Sequence, residues 1–507
     1  MIEVTNSKVG VCKMYISNIK LENFRSFSGE HDIMFNSGIN FFVGNNNSGK
    51  TTIFKAIEFL QNGKNKEEWI TKGKESRDVS VEVTFSGDDI PDIVSDGAIK
   101  KYQDFVFDEN GTKNLRILRT SADIKKAQTW NNEKNQFENP TGVGNMITAL
   151  FDAQFVYSDL KNEDYQDFGK TKIVGKLVNA ITADFQKSDP YQKLRQAHND
   201  AFGEGSELIG ILAGVSDKIQ KVITEQYGEA KVDFNFGLPE MENFFKNGSI
   251  NLTDNGITTD VSEKGTGMQR ALAMSLIQVY SEVSNSENAK QLFFFVDEPE
   301  TFLHPIAQDK LIESFERISK NSQVFITTHS PYLLKKFNKS NHEIKLFSSI
   351  GEKVKVGEKM DLFPFSPTWG EINYFSFGVP SVEFHNELFG YIQEQFNRIK
   401  SQGIQEEGIS DKQKKKKIGK LTNENSFDEY LKEKGLLQEM QYIRKLNDES
   451  LDKQQKTLPM FVRNIIHHPE NTNNSFSNNQ LIESIQLMID IIDKIKEEAK
   501  GLNLKNA

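Results

Sequence analysis

The sequence predicts an α/β fold with a helical insertion, followed by a mostly α-helical C-terminal region. Three observations predict this class. GNNNSGKT at 44–51 separates an apolar strand, INFFVG, from an amphipathic segment, TTIFKAIEFL. QLFFFVDE at 291–298 has the length and composition of a strand that is buried on both faces. Beyond about residue 350 the composition changes, and the apolar spacing favours helices.

Length and composition narrow the class of protein. A chain of 507 residues is too long for one hydrophobic core and predicts two to four structural units. No apolar run is long enough to span a membrane, and no apolar signal core begins the chain, so we expect a cytoplasmic protein without a membrane partner. The single cysteine, Cys12, excludes an internal disulfide. The net charge of −10 confines any nucleic-acid contact to a local basic patch.

The segments outside these motifs are assigned from their patterns. MYISNIKLENF at 14–24 alternates and predicts a strand, and VSVEVTF at 79–85 predicts a strand at a sheet edge. A hairpin is expected across Asn110-Gly111. Residues 121–145 are polar and predict a loop.

The pattern divides the chain into two domains. We expect a head at residues 1–350 that contains a helical insertion at about 171–230. Short strands are expected after the insertion, at residues 232–262. Residues 351–507 are expected to form a mostly helical effector or docking domain.

GNNNSGKT matches the phosphate-binding pattern G-x-x-x-x-G-K-[ST] in full. The glycines let successive backbone N–H groups turn around a phosphate, and the following helix adds a partial positive charge. We expect Lys50 to reach the β and γ oxygens of ATP and Thr51 to hold Mg²⁺. The candidate nucleotide-binding residues of this loop are Gly44, Asn45, Asn46, Asn47, Ser48, Gly49, Lys50, Thr51 and Thr52.

Two further strand ends carry candidate catalytic residues. Asp297 and Glu298 end the apolar run 291–298, where a pair of carboxylates is costly unless a cation is present. We expect Asp297 to order Mg²⁺ and Glu298 to polarise the attacking water as a general base. His329 follows the next apolar run and has the position of a γ-phosphate sensor.

A fourth motif, SEKGTGMQRALAMSLI at 262–277, places a glycine-rich turn before a helix. Such a helix N-terminus binds anions. It is similar to the ABC signature in the relaxed form found in OLD and RecF-like proteins. The candidate nucleotide contacts in this motif are Gly265, Thr266, Gly267 and Gln269.

Together these motifs, with YISNIKLENFRSF and DEPETFLHP, resemble the SMC, RecF and OLD group of ABC-type ATPases over roughly residues 14–350. The resemblance implies an ABC-type P-loop NTPase head that hydrolyses ATP. It also implies that the signature of one subunit completes the ATP site of another, in a homodimer or higher oligomer that hydrolysis loosens. The glutamine of a Q-loop has no evident counterpart.

FVRNIIHHPEN at 461–471 fits the R-N-x-x-x-H pattern of HEPN ribonucleases through Arg463, Asn464 and His468. The PrrC and RloC anticodon nucleases join an ATPase to such a domain in the same order. This resemblance implies metal-independent cleavage of RNA such as tRNA, with His468 moving protons and Arg463 stabilising the charged phosphorane. The alternative is a plain helix end, since His467 and His468 favour a helix C-terminus and Pro469 stops the helix.

Three functional hypotheses remain. The leading one is an ATPase that gates an antiphage defence effector, with the C-terminal region as the RNase. The first alternative is a RecF-like DNA-repair ATPase. The second is the ATPase scaffold or sensor of a Septu- or retron-type complex, in which a second defence protein cuts. No Glu…Asp-x-Asp cluster follows residue 350, so a Toprim nuclease is not expected. The run Lys412–Lys417 is either a phosphate contact or a solvated loop.

Overall fold

A computed structural model gives the fold of the chain. It describes residues 13–63, 78–95, 97–139, 147–158, 173–182, 185–229, 231–238, 250–254, 256–283, 290–301, 303–350, 353–357, 360–402, 421–445 and 450–505. The run Lys412–Lys417 lies outside these residues.

The chain forms two compact units. The first contains Met1–Phe41, Gly49–Thr328 and Asn341–Glu343, and the second contains Phe42–Ser48, His329–Ser340 and Ile344–Ala507. Among the described residues, no helix combines the length and the hydropathy needed to cross a bilayer.

An antiparallel sheet of seven strands forms one part of the head, in the order β2-β1-β4-β6-β7-β8 with β5 beside β6. Alternating apolar residues build its buried face, as in β4, where Val81, Val83 and Phe85 are all fully buried. The strands are β1 (Tyr15–Glu22), β2 (Glu30–Met34), β4 (Ser80–Ser86), β5 (Phe107–Glu109), β6 (Thr112–Thr120), β7 (Ala127–Asn131) and β8 (Gln136–Glu138).

A second sheet has six strands in the order β15-β14-β3-β13-β12-β9. β9, β12 and β13 run parallel, while β14 and β15 pair antiparallel. Phe295 of β12 stacks on Phe325 of β13 at 4.7 Å and on Phe155 of β9 at 4.9 Å, which fixes the register of the three strand ends. The strands are β3 (Ile39–Gly44), β9 (Phe151–Val156), β12 (Gln291–Asp297), β13 (Gln323–Thr328), β14 (His342–Ile350) and β15 (Lys353–Gly357).

Helices and one hairpin complete the head. The hairpin of β10 (Asn251–Asp254) and β11 (Ile257–Asp260) leads into a 3₁₀ turn, Val261–Glu263, just before α7. The predicted insertion consists of three helices, α4, α5 and α6. The helices of the head are α1 (Thr52–Asn62), α2 (Ile90–Ile93), α3 (Ile147–Leu150), α4 (Ile173–Thr182), α5 (Asp189–Phe202), α6 (Glu207–Tyr227), α7 (Thr266–Val283) and α8 (Pro305–Ile318), with 3₁₀ turns at Gly97–Phe105, Phe185–Lys187 and Pro331–Leu334.

The C-terminal region has its own apolar core. Phe384, Leu388 and Ile392 recur every four residues on α10 and share this core with Ile485 and Met488 of α13. Its elements are α9 (Trp369–Glu371) with a π-helical turn at Ile372–Ser376, α10 (Val382–Gln402), α11 (Glu424–Glu433), β16 (Met440–Lys445), β17 (Leu451–Lys456), α12 (Leu458–His467) and α13 (Asn478–Lys505).

Two local predictions were wrong. β4 is not an edge strand, because it pairs with both β1 and β6. The stretch 121–145, expected to be a loop, contains β7 and β8. The C-terminal region is mostly helical, as predicted, and it also contains the antiparallel hairpin β16–β17.

Candidate functional site

The loop after β3 has the backbone that close approach to a phosphate requires. Gly44 has a φ of 155°, and a Cβ added there would lie 2.0 Å from the carbonyl oxygen of Phe347, so only glycine fits. Asn47 and Gly49 also have positive φ, at 60° and 93°. Asn45, Asn46 and Asn47 are exposed, and Thr52 is buried with its hydroxyl 2.9 Å from that of Ser26. Successive turns of this kind direct backbone N–H groups into one concavity.

Lys50 lies in a strongly acidic environment. It is only 6% exposed. Burial lowers the pKa of Lys50, and the negative charges of Glu298, Asp297 and Glu300 oppose that shift. Its ammonium group therefore sits among three carboxylates, beside the helix terminus where the phosphates of a nucleotide would bind.

Asp297 collects hydroxyl groups from three separate segments. Its Oδ1 accepts from Thr51 Oγ1 at 3.0 Å and from Thr327 Oγ1 at 2.5 Å, and its Oδ2 accepts from Ser158 Oγ at 3.1 Å. Carboxylate and hydroxyl oxygens are the ligands that Mg²⁺ prefers. The donor set therefore fits the ion that the motif implies, with Thr51 and Asp297 as the residues that would hold it. Among the described residues, no cluster of three or more His, Cys, Asp or Glu side chains forms a metal site of its own.

Glu298 is held by its backbone in an unusual conformation. Its φ is 45°, and its N–H donates to both the carbonyl and the hydroxyl oxygen of Thr327, each at 3.0 Å. A non-glycine residue with positive φ costs about 1 kcal/mol or more and persists where surrounding contacts fix it. Glu300 is also buried, and it accepts from the Thr328 hydroxyl at 2.8 Å. His329 is half-buried and follows directly after β13.

The signature turn lies on the surface. Gly265 and Thr266 are exposed at the start of α7, and Gly267 is half-buried. Gln269, predicted to contact nucleotide, is only 2% exposed, and its amide donates to the carbonyl oxygens of Ser262 and Lys264. In this chain Gln269 therefore braces the turn that presents Gly265 and Thr266 to solvent.

Two residues at this site were missed by sequence reasoning. Ser158 contacts Asp297, and the Arg270 guanidinium donates to the carbonyl oxygens of Glu298 and Ser158. Only the pairing of β9 with β12 brings Ser158 here, and that pairing follows from no local pattern.

The second candidate site is a cleft of about 760 Å³ in the C-terminal region. Asn464 and His468 line it, but Arg463 does not. Arg463 instead donates to Asn464 Oδ1 at 3.0 Å, and its guanidinium lies 5.7 Å from the ring centre of Phe389. The arginine that lines the cleft is Arg444 of β16. The lining residues are Glu424, Tyr442, Arg444, Leu451, Gln454, Asn464, His468, Glu470, Asn471, Thr472 and Asn473.

The helix carrying this motif ends just before its last histidine. α12 ends at His467, and His468 follows with φ −126° and ψ 61°, although its N–H still donates to the Asn464 carbonyl at 3.0 Å. His468 is therefore the capping residue just beyond the last turn of α12. Pro469 follows and cannot extend the helix. His468 is 54% exposed at the mouth of the cleft and lies 3.2 Å from Glu470.

A polar network of two buried residues and one exposed carboxylate lies at the cleft. Asn464 is 2% exposed and donates to Glu424 Oε1 at 2.6 Å, and the Lys456 ammonium lies 3.4 Å from the same oxygen. Burial raises the pKa of Glu424, but the hydrogen bond from Asn464 and the charge of Lys456 outweigh it, so the net shift is downward. Asn471 binds the Ile443 carbonyl at 2.8 Å and so ties the loop after His468 to the hairpin.

Comparison with known proteins agrees with the geometry of the head. The family model described as "AAA ATPase domain" matches residues 162–334, and the one described as "AAA domain" matches residues 18–221. Both matches lie in the head. They overlap at residues 162–221, which include most of the helical insertion.

Individual relatives were found as well. The Old nuclease of Escherichia phage P2 is 26% identical over 63% of this chain, and the chain covers 57% of that protein's length. The DNA replication and repair protein RecF of Francisella tularensis subsp. novicida (strain U112) is 23% identical over 65% of this chain and 99% of its own length. A solved structure of the SmcHead bound to the C-winged helix domain of ScpA aligns with 68% of this chain and 97% of its own, at 16% identity and a TM-score of 0.40. The head is thus similar to AAA ATPase domains and, at low identity, to an Old nuclease and to a RecF protein.

Proposed function

We propose that this chain is an ATP-hydrolysing switch in which two heads close on ATP and separate after hydrolysis. The observation that carries the proposal is the convergence of Thr51, Ser158 and Thr327 on Asp297. This convergence lies beside Lys50 at the start of α1, and it unites a phosphate-binding loop with a carboxylate suited to Mg²⁺.

Each residue of the head has a distinct role in this proposal. Lys50 neutralises charge on the transferred phosphoryl group, and Thr51 and Asp297 would hold Mg²⁺. The bound ion would supply Lewis-acid stabilisation of the phosphate charge. Glu298 accepts a proton from the attacking water, and its fixed backbone keeps the carboxylate in place for that step. His329 hydrogen-bonds the γ-phosphate.

The second head supplies the signature turn. Gly265 and Thr266 are exposed at the N-terminus of α7, so this positive helix end is open to a phosphate from another molecule. A nucleotide held between two heads contacts the second head through its γ-phosphate. Loss of that phosphate therefore weakens the interface.

Two variants test the switch. Wild-type protein with ATP and Mg²⁺ is expected to release phosphate. Glu298→Gln is expected to bind ATP, release almost no phosphate and accumulate as a dimer in size-exclusion chromatography with light scattering. Lys310→Ala, on the exposed face of α8, serves as the matched control and is expected to behave as wild type. A Glu298→Gln protein that stays monomeric with ATP would contradict the switch.

We further propose that the head gates the C-terminal cleft in antiphage defence, and that the cleft cleaves RNA. Supporting this, the cleft brings His468 together with Arg444 and the carboxylate of Glu424. An imidazole and a cation that line the same cleft suit transfer of the 2′-hydroxyl proton and stabilisation of the phosphorane. In this arrangement Arg444 takes the role that the sequence pattern gave to Arg463.

Cleavage of tRNA tests the effector. Wild-type protein with ATP is expected to cut tRNA, with no metal ion taking part in the cleavage itself. His468→Ala is expected to abolish the cutting, while His467→Ala, whose side chain does not line the cleft, keeps it. Intact tRNA in all conditions with ATPase activity present would sink the RNase. A stoichiometric second protein in the purification would then favour the scaffold hypothesis, and tight DNA binding alone would favour the RecF-like one.

A further inference from the structure

We infer that Arg270 is a positioning residue that couples the signature turn of a head to the Mg²⁺ side of the same head's ATP site, with Ser158 as the hydroxyl it places there. The inference rests on the proposed function of the head. It rests on three hydrogen bonds within the first compact unit, one from Ser158 to Asp297 and two from Arg270 to the carbonyl oxygens of Glu298 and Ser158.

Ser158 reaches Asp297 because of strand pairing. β9 and β12 are parallel neighbours, with Val156 opposite Val296, so both strands end at the same edge of the sheet. The chain leaves β9 through Tyr157, and the next hydroxyl lies 3.1 Å from Asp297 Oδ2. Since Thr51 and Thr327 occupy Oδ1, Ser158 is the group that fixes the second carboxylate oxygen.

Arg270 fixes the backbone on either side of that contact. Nη1 donates to the Glu298 carbonyl at 3.0 Å, and Nη2 donates to the Ser158 carbonyl at 2.8 Å. One guanidinium thus bridges the ends of β9 and β12, and hydrogen bonds from a charged planar donor are stronger and more directional than neutral ones. Glu298 is then restrained at both its N–H, by Thr327, and its C=O, by Arg270.

Arg270 also belongs to the first turn and a half of α7. Gly265 and Thr266 are exposed at the start of that helix, and the buried Gln269 ties the preceding turn to it. A shift of the helix N-terminus, when it engages a phosphate bound to another head, therefore moves the guanidinium as part of one rigid element. Ser158 and Glu298 move with the guanidinium. Binding of the signature turn to a nucleotide on the other head therefore sets the geometry of the ATP site in its own head.

The test compares Arg270→Ala, Arg270→Lys and Ser158→Ala, with Arg317→Ala as an exposed arginine control on the neighbouring helix α8. Fluorescent mant-ATP binding is measured without Mg²⁺ and across a Mg²⁺ titration, together with kcat and thermal unfolding. Binding without Mg²⁺ is expected to be unchanged, because Lys50 and the loop remain intact. The Mg²⁺ concentration for half-saturation is expected to rise about tenfold in Arg270→Ala and in Ser158→Ala.

Two further results follow from a coupled arrangement. Arg270→Lys is expected to recover only part of the loss, since one ammonium cannot reproduce the planar fork. In the double variant Arg270→Ala/Ser158→Ala, the Mg²⁺ concentration for half-saturation is expected to be about the same as in either single variant. The reason is that both substitutions remove the same contact to Asp297.

Wild-type Mg²⁺ half-saturation in Arg270→Ala, or a loss that merely follows a lowered Tm, would overturn the inference. Fully multiplicative losses in the double variant would overturn it as well. If wild-type protein fails to hydrolyse ATP, the proposed function fails instead, and the Mg²⁺ dependence of mant-ATP binding still decides the role of Arg270.

Discussion

Lys50 is the residue on which the charge of the nucleotide site depends. Its ammonium is buried among Asp297, Glu298 and Glu300, and their negative charges oppose the desolvation that lowers its pKa. The same ammonium can compensate carboxylates before ATP binds and phosphates after, so it remains partnered in both states.

Removing that charge should abolish nucleotide binding. Lys50→Ala is expected to weaken mant-ATP binding at least about 100-fold, because a charged hydrogen-bond donor to phosphate is lost and three carboxylates stay uncompensated. Fluorescence titration measures the effect, with Lys310→Ala as the control. Binding within a few-fold of wild type would place the phosphates elsewhere.

Asn464 has a structural role that can be separated from catalysis. It bridges Arg463 and Glu424 while 2% exposed. Asn464→Ala removes the closest donor of the Glu424 carboxylate, which is 45% exposed to water, and is expected to lower the free energy of unfolding by about 1 kcal/mol. Asn464→Asp should cost more, because two carboxylates would then face each other. Urea unfolding checks both, and an unchanged midpoint in Asn464→Asp would mean that the bridge is absent.

At this scale the motifs were sufficient for some residues and not for others. Lys50, Thr51 and Asp297 could be predicted because each lies in a short pattern whose chemistry is local. Ser158 and Arg270 could not, because they contact the site through a strand neighbour and a helix that lie far from it in the chain.

Among the elements, the packing of α10 against α13 contains a buried titratable group. His385 is fully buried, and its Nε2 lies 2.9 Å from Ser484 Oγ. Burial lowers the pKa of His385 to about 4, from an ordinary value of 6.5. In the unfolded chain it takes up a proton below pH 6.5, whereas in the folded chain it stays neutral.

Stability should therefore fall as the pH drops. The contribution of His385 is fully present above pH 6.5 and is lost between 6.5 and about 4, by up to about 3 kcal/mol. Burial also lowers the pKa of His342 to about 4, so the difference between wild type and His385→Gln isolates one group. Thermal unfolding at pH 8 and pH 5 is the measurement. An equal drop in Tm for both proteins would contradict the assignment.

Secondary structure was predictable where the pattern was local. Strands β3, β12 and β13 are continuous apolar runs, and α10 repeats its apolar residues every four positions. The hairpin β16–β17 was missed because LDKQQK in β17 is polar. Its partner strand is fixed from a distance, by Asn471 and Asn474, which bind the backbone of Ile443.

For the whole molecule, the central question is whether one chain makes a complete ATP site. Thr51, Asp297 and Glu298 belong to one head, while the exposed Gly265 and Thr266 lie at a separate helix terminus. The sequence resemblance predicted that these halves meet between two chains, and the surface position of the turn agrees with that arrangement. A second copy of the chain carries the same residues, so the motifs alone do not distinguish a site within one chain from a site shared by two copies.

Complementation between two inactive variants tests this claim most directly. Lys50→Ala removes nucleotide binding but keeps the signature turn. Gly265→Asp should fold, since a Cβ there meets nothing within 4 Å, but its carboxylate would repel a phosphate of the other head. Co-expressed with different tags and purified through both, the mixed dimer keeps one intact composite site and is expected to hydrolyse ATP at about half the wild-type rate, while each variant alone stays inactive. A mixed dimer as inactive as its parents would contradict a site shared between two chains.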